Sequence, residues 1–208
     1  MSTIDAVILT KSIKDNGFCV VGLDIYSGKW VRFVSDEKGA PLLSFQTQYQ
    51  NVEGFCAPLD VVRAEVIAEV PFRNHTEDCK INCQTLMKRG YAYIEHVIKK
   101  HPPEKHDYVF GNDESSLATI DGLTYSLMFI QVNNLTLNPS ANSCKADFHY
   151  DGRHYQNMSI TDPDYVRDGK ASGIPWIFDN AYIVVSMPCT PYYRDGRYHK
   201  FIAKIFQS

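Results

Sequence analysis

The pattern of apolar and polar positions predicts β-strands in the first third of the chain. Residues 6–9 form a short apolar run, and residues 17–25 and 29–35 flank a turn at Gly28. Residues 59–67 alternate between apolar and polar side chains, as strands with one buried face do. These segments are the elements of a small β-barrel.

A second strand-rich region lies in the last third of the chain. Residues 145–150 and 153–162 flank Asp151-Gly152, which favours a hairpin because a type I′ turn needs positive φ angles that Asp and Gly tolerate. Further strands are predicted at residues 126–132, 181–187 and 198–205. In the last strand, alternation predicts a basic outer face that consists of Tyr198, Lys200, Ile202 and Lys204.

The segment between these regions has a different period. From residue 79 to residue 100, apolar side chains recur every three to four positions, which predicts a helix packed on a core. Gly90 weakens the middle of this helix, and Pro102-Pro103 ends it because proline cannot continue the hydrogen-bond ladder. The polar run 111–116 is the expected domain boundary.

The predicted fold is mainly β with a helical insertion (α+β), arranged as two small OB-like β-barrels in tandem. The first barrel covers residues 1–116, with the helical segment near 79–100, and the second covers residues 117–208. Five strands in fewer than about a hundred residues is the size of an OB barrel, a closed Greek-key sheet. SH3-like barrels and a split β-sandwich have similar strand counts and stay open as alternatives.

Composition limits the classes of function. A hydrophobic fraction of 44% is ample for compact cores, and the net charge of −3 excludes a global basic field, so any polyanion site must be a local patch. The start of the chain lacks the basic and apolar regions of a signal peptide, and no apolar run approaches the length of a membrane span. We therefore expect a reducing, cytoplasmic setting with free cysteines and no membrane contact.

Several motifs occur in one order along the chain and resemble the dual OB-containing domain family of microbial proteins. They are residues 8–12, 28–35, 148–155, 159–163, 182–187 and 198–205. The resemblance implies tandem OB folds, and OB folds imply nucleic-acid binding by analogy. The chain departs from the family pattern after the penultimate strand, where residues 186–191 read Ser-Met-Pro-Cys-Thr-Pro in place of a Ser-Leu-Gly-like step.

The first barrel offers a candidate binding pair on its predicted hairpin. Trp30 and Arg32 lie two residues apart, so both side chains project from one face, where they could stack a base and hold a phosphate. Lys11 would extend this patch if its loop folds over the hairpin. The alternative is a local cation–π or packing pair that supports the sheet.

The second barrel offers a larger set of aromatic and basic residues. The candidates for nucleic-acid binding are Tyr150, Arg153, Tyr155, Arg197, Lys200 and Lys204. Interleaved aromatic and basic side chains suit a single-stranded polyanion, although neighbouring aspartates dilute the charge. The alternative is a solvated rim without a ligand.

Metal and catalytic motifs are weak. His75, Cys79 and Cys83 would share a face of a continuous helix, but no second Cys/His pair accompanies them, so we expect no metal. Asp162 and Asp164 could hold Mg²⁺ in a nuclease, yet Thr-Asp-Pro-Asp is also an ordinary turn. No cofactor is expected.

The resulting hypothesis is a nucleic-acid-binding module without catalytic activity, acting as an accessory or sensor protein on single-stranded or structured DNA or RNA. Its alternative is an adaptor that binds a partner protein or a small ligand such as a nucleotide. Steep salt dependence of binding would distinguish the first class from the second.

Overall fold

The computed structural model describes residues 2–140, 143–166 and 175–207. The chain divides into two compact units, Met1–Pro102 and Pro103–Ser208. This boundary lies earlier than the one expected after residue 116, because Val109 and Phe110 are completely buried in the core of the second unit.

The first unit is a closed five-stranded barrel. In chain order its elements are β1 (Ser2–Lys14), β2 (Gly17–Asp24), β3 (Trp30–Val34), a 3₁₀ helix (Ser44–Thr47), β4 (Asp60–Glu69), β5 (Asp78–Tyr91) and α1 (Ile94–Lys100). Around the barrel the strands follow the order β1-β2-β3-β5-β4, and β4 returns to β1. All pairs are antiparallel except β3 with β5.

The helix predicted over residues 79–100 is wrong for most of its length, because residues 78–91 form strand β5. Glu65 pairs with Asn82 and Arg63 pairs with Met87, so two steps along β4 correspond to five steps along β5. In a regular strand, residues five apart point to opposite faces, but because of this bulge Ile81 and Leu86 are both buried. The two-residue alternation that marks a strand is therefore interrupted. The helix itself is confined to α1, which ends before the two prolines as expected.

The second unit repeats the same topology. Its strands are β6 (Leu127–Pro139), β7 (Cys144–Tyr150), β8 (Arg153–Ile160), β9 (Trp176–Ser186) and β10 (Phe201–Gln207). Their order is β6-β7-β8-β10-β9, with β8 and β10 parallel and β9 paired back to β6. Asp151 and Gly152 have φ angles of 47° and 73°, as the predicted hairpin turn requires.

Each barrel has its own apolar core. The core of the first barrel includes Ile8, Phe33 and Leu86. The core of the second includes Met128, Ile130, Phe148 and Ile202. The tandem barrels of the predicted fold are thus confirmed: in each, the third and fifth strands are parallel and the first strand pairs with both the second and the fourth.

Candidate nucleic-acid interface

Arg32 lies in a buried ion cluster and not on an open face of the barrel. It is 2% exposed, and its guanidinium contacts Glu77 at 2.6 Å and Asp78 at 3.1 Å. His75, in the β4–β5 loop, also contacts the guanidinium. The expectation that Arg32 is presented to a ligand is therefore wrong, because both faces of β3 are covered.

The same cluster bears on the metal hypothesis. Ligand atoms of His75, Glu77 and Asp78 lie within 4.8 Å of one another, but the guanidinium of Arg32 supplies the positive charge among them. Since β5 is a strand, Cys79 no longer shares a helical face with His75, and it lies in the barrel core.

The other two candidates of the first barrel are partly buried. Trp30 begins β3. Lys11 lies on β1, with its amine 4.7 Å from the ring centre of Phe18 and 5.5 Å from that of Phe55. Trp30 and Arg32 are thus no joint binding pair, since only Trp30 retains exposed surface.

Two tyrosines of the second barrel are structural and not exposed stacking surfaces. Tyr155 is completely buried, its ring stacks on Phe148 at 5.3 Å, and its hydroxyl accepts a hydrogen bond from the backbone of Val109. Tyr150 is 7% exposed and accepts from the backbone of His106 at 2.8 Å. Burial raises the pKa of both phenols, so both stay protonated. They hold residues 106–112 against the barrel.

Lys200 is also buried, contrary to the predicted basic outer face. The residue is 1% exposed. Its amine donates hydrogen bonds to the carbonyl and side-chain oxygens of Asn112 and to the carbonyl of Glu114. Burial lowers the pKa of Lys200 to about 7. The sequence pattern missed this because residues 116–118 run beside residues 198–200 and cover them.

Lys204 is the second lysine of that face, and it binds the two carboxylates considered for a nuclease. Its amine lies 2.5 Å from Asp164 and 3.2 Å from Asp162, which is completely buried. Although burial opposes it, the two carboxylates raise the pKa of Lys204. Both faces of β10 are covered in the closed barrel, so alternation did not place this lysine in solvent.

The remaining candidates, Arg153 and Arg197, retain exposed surface. The guanidinium of Arg153 lies 4.2 Å above the ring of Tyr108 and bonds Asp151 at 2.9 Å. Arg197 is exposed in the loop between β9 and β10. Of the candidates predicted in the second barrel, these two can meet a ligand without rearrangement.

The β9–β10 loop presents aromatic and basic side chains together. We define the loop patch as Tyr192, Tyr193, Arg194 and Arg197. Tyr192 is 41% exposed and Tyr193 is 80% exposed, and the guanidinium of Arg194 donates to the Tyr193 hydroxyl at 2.8 Å. Sequence reasoning missed the two tyrosines, although the run Tyr-Tyr-Arg at 192–194 beside Arg197 is a visible signal.

A cavity of about 320 Å³ adjoins the loop patch. Its walls are residues 112, 114 and 117–119 on one side and residues 196–198 on the other, including Arg197. The two segments are joined by a hydrogen bond from the backbone of Ala118 to Tyr198, at 2.9 Å. The two walls are thus hydrogen-bonded to each other, and Arg197 adds a cationic side chain to one of them.

The outer face of β7 and β8 also carries exposed side chains. His149 and His154 are exposed and directly paired across the two strands, and their rings stack at 4.5 Å. β7 and β8 are the second and third strands of the barrel, and the β9–β10 loop joins the fourth to the fifth. In OB folds, these are the elements that contact oligonucleotides and oligosaccharides.

Comparison with known proteins agrees with this topology. The model of a family described as the dual OB-containing domain matches residues 4–205. The chain belongs to this family. Membership accounts for two barrels of one strand order in a single chain.

The other comparisons add little. A search of curated proteins found no match. Among solved structures, a murine DNA binding protein bound with double-stranded DNA aligns over 100% of both chains with 6% identity and a TM-score of 0.34. A score this low carries no argument about function. Of the helices that the structure describes, none is long and apolar enough to cross a membrane.

Proposed function

We propose that this dual OB protein binds single-stranded nucleic acid through its second barrel. The observation that carries the proposal is the loop patch, because exposed aromatic and basic side chains occupy the loop that OB folds use for ligands. Such surfaces bind by stacking bases on aromatic rings while cationic side chains track the phosphates.

The physical magnitudes favour stacking as the main contribution. A base stacked on an aromatic side chain contributes about 1 to 3 kcal/mol. The positive charge of the patch is modest, because Asp195 lies in the same loop and bonds His199 at 2.8 Å. We therefore propose weak sequence preference and a moderate salt dependence, set by Arg194 and Arg197.

We further propose that the protein binds without catalysing a reaction and that it is cytoplasmic. Asp162 and Asp164 are both engaged by Lys204, which argues against their use as a metal pair. All six cysteines are free thiols, as a reducing compartment favours.

A small ligand is the second candidate function, and the cavity beside Arg197 favours it. Its volume of about 320 Å³ lies at the lower end of the range of small-molecule sites, and it is open to solvent with mostly polar walls. A mononucleotide that fills the cavity would bind with less salt dependence than a strand that follows the loop patch. A partner protein on the exposed tyrosines is the remaining alternative.

The test is fluorescence polarisation with labelled single-stranded DNA, single-stranded RNA and duplex over a salt series. We expect the double variant Tyr193→Ala/Arg197→Ala to weaken single-strand binding by roughly 10- to 100-fold, from the loss of a stacked base and a phosphate contact. Arg197→Ala alone should lower the salt slope by about one.

The matched control is Tyr26→Ala/Lys29→Ala, which removes an equally exposed aromatic and basic pair from the first barrel. This variant should bind as the wild type does. The proposal fails if folded wild-type protein binds no strand at low salt, or if the loop variant and the control have the same affinity. If the protein binds free mononucleotides but no single strand, the small-ligand alternative is supported.

A further inference from the structure

The mouth of the first barrel contains an amine in an unusual setting. Lys11 pairs with Val20 across β1 and β2, and Val20 points into the core, so Lys11 shares that inward face. Phe18 and Phe55 flank its amine at 4.7 and 5.5 Å. Phe55 is 50% exposed, so the mouth is open to solvent on that side.

The amine has π contacts but no hydrogen-bond acceptor within the part of the chain that the structure describes. Cation–π contacts stabilise the charged form less than a carboxylate partner would. Burial, the largest effect, lowers the pKa of Lys11, although the nearby Cys56 and Asp60 oppose the change. A larger fraction of Lys11 is therefore neutral near pH 7 than of a fully solvated lysine.

The carboxylate near Lys11 already has hydrogen-bond and ion-pair partners, and the thiol near it is protonated. Asp60 accepts a hydrogen bond from the Tyr49 hydroxyl and from the backbone of Ala57, and it pairs with the amine of Lys88 at 2.5 Å. Burial raises the pKa of the Cys56 thiol to about 12, so this thiol stays protonated. Lys11 is thus the available nucleophile in the mouth.

These observations decide between two ligand classes. An anion would find one amine beside the carboxylate of Asp60, because Lys88 is already paired with that carboxylate. A carbonyl compound needs only a neutral amine and apolar walls, which Phe18 and Phe55 provide. Lysines desolvated in apolar pockets are the ones that form Schiff bases.

We propose that Lys11 is a carbonyl-reactive lysine that forms an imine with small aldehydes in the mouth of the first barrel. The amine nitrogen attacks the carbonyl carbon, the C–N bond forms, and the carbonyl oxygen leaves as water with the two amine protons. The products are the imine and one water, and no oxidant or reductant takes part. The proposal is independent of nucleic-acid binding by the second barrel.

The test is competitive labelling of the folded wild-type protein with benzaldehyde and sodium cyanoborohydride at pH 7.5, which reduces any imine to a stable secondary amine. Peptide mass mapping then gives the labelling rate at each lysine. Lys14, three residues further along β1 and also partly buried, is the matched reference. Because Lys11 lies between two aromatic rings and burial lowers its pKa, it should label several-fold faster than Lys14.

Three further measurements test whether the folded environment of Lys11 causes its fast labelling. In urea the ratio of the two rates should approach one. Phe55→Ala, a change at a half-exposed side chain, should lower the ratio by hydrating the amine. Lys11→Arg keeps the charge and should remove the fast label without loss of thermal stability. The proposal is overturned if Lys11 in folded protein labels no faster than Lys14, or if the ratio persists in urea.

Discussion

Replacement of Arg32 by methionine tests whether the ion cluster under the β4–β5 loop stabilises the first barrel. Methionine keeps much of the apolar stem and removes the charge. Glu77 and Asp78, whose side chains are 6% and 2% exposed, would then lose the guanidinium that both carboxylates contact. Removal of one partner from a buried ion pair costs about 3 to 5 kcal/mol.

That cost is a large share of the stability of a domain, which is about 5 to 15 kcal/mol. For a unit of this size, each kcal/mol lowers Tm by about 4 to 8 °C. We therefore expect Arg32→Met to lower the Tm of the first unit by at least ~12 °C. The charge-free combination Arg32→Met/Glu77→Gln/Asp78→Asn should recover part of the loss, because no buried charge is left uncompensated.

The assay is urea unfolding followed by tryptophan fluorescence. The chain has two tryptophans, and Trp30 lies in the first unit while Trp176 lies in the second. In a Trp176→Phe background the fluorescence therefore comes from Trp30 alone, which lies two residues from the replaced arginine and reports on the first barrel. Free energies of unfolding come from linear extrapolation of the transition.

Arg197→Met is the control, because it removes the same charge from an exposed loop. Its effect on stability should stay within about 0.5 kcal/mol. If Arg32→Met were as stable as this control, the ion cluster would not stabilise the barrel and the argument from burial would be refuted.

Two predictions concern β1. Hydrogen bonds from Arg63 to Asp5, at 2.6 and 2.7 Å, lower the pKa of that carboxyl. The pair therefore stabilises the fold above the unfolded pKa of about 3.9, and its contribution falls as pH drops through the lower folded value. Arg63→Gln should therefore lower the free energy of unfolding at pH 7 and change it little at pH 2, as measured by urea unfolding over an acid titration. An equal loss at both pH values would contradict this. Gly22→Ala would place a Cβ 2.4 Å from the carbonyl oxygen of Val7 and should cost about 1 to 3 kcal/mol, whereas Gly90→Ala, with open space around it, should be nearly neutral in the same assay. Equal stability of the two alanine variants would show that β1 and β2 separate without strain.

The turns and strand cores were predictable because their signals are local. Asp151-Gly152 needs no distant contact to favour positive φ, and the structure has both residues there. The end of α1 before Pro102 follows from the missing amide hydrogen of proline in the same way. The tandem arrangement follows from the repetition of such strand and turn signals along one chain.

Two features depended on segments that are distant in the sequence. They are the secondary structure of residues 79–91 and the burial of the charged side chains. The bulge between β4 and β5 changes the period of the buried positions, and local spacing alone does not distinguish a bulged strand from a helix. Arg32 is buried by the loop that carries His75 and Glu77, more than forty residues later.

In the candidate interface, too, the sequence indicates some exposed residues, while the burial of others is seen only in the structure. Arg197 and the neighbouring Tyr-Tyr-Arg run are visible in the sequence, and their exposure follows from a loop rich in Pro, Gly and polar residues. Lys200, Lys204 and Tyr155 have the same residue types, yet the structure uses them inside the barrel.

The sequence by itself determined the strands other than β5, the tight turns and the tandem order of the barrels, because backbone conformation there responds to neighbours within a few positions. Only the tertiary structure decided which charged and aromatic side chains meet solvent. In a closed barrel both faces of a strand can be covered, one by the core and the other by connecting segments. The alternation of apolar and polar residues along one strand does not show whether its outer face is covered.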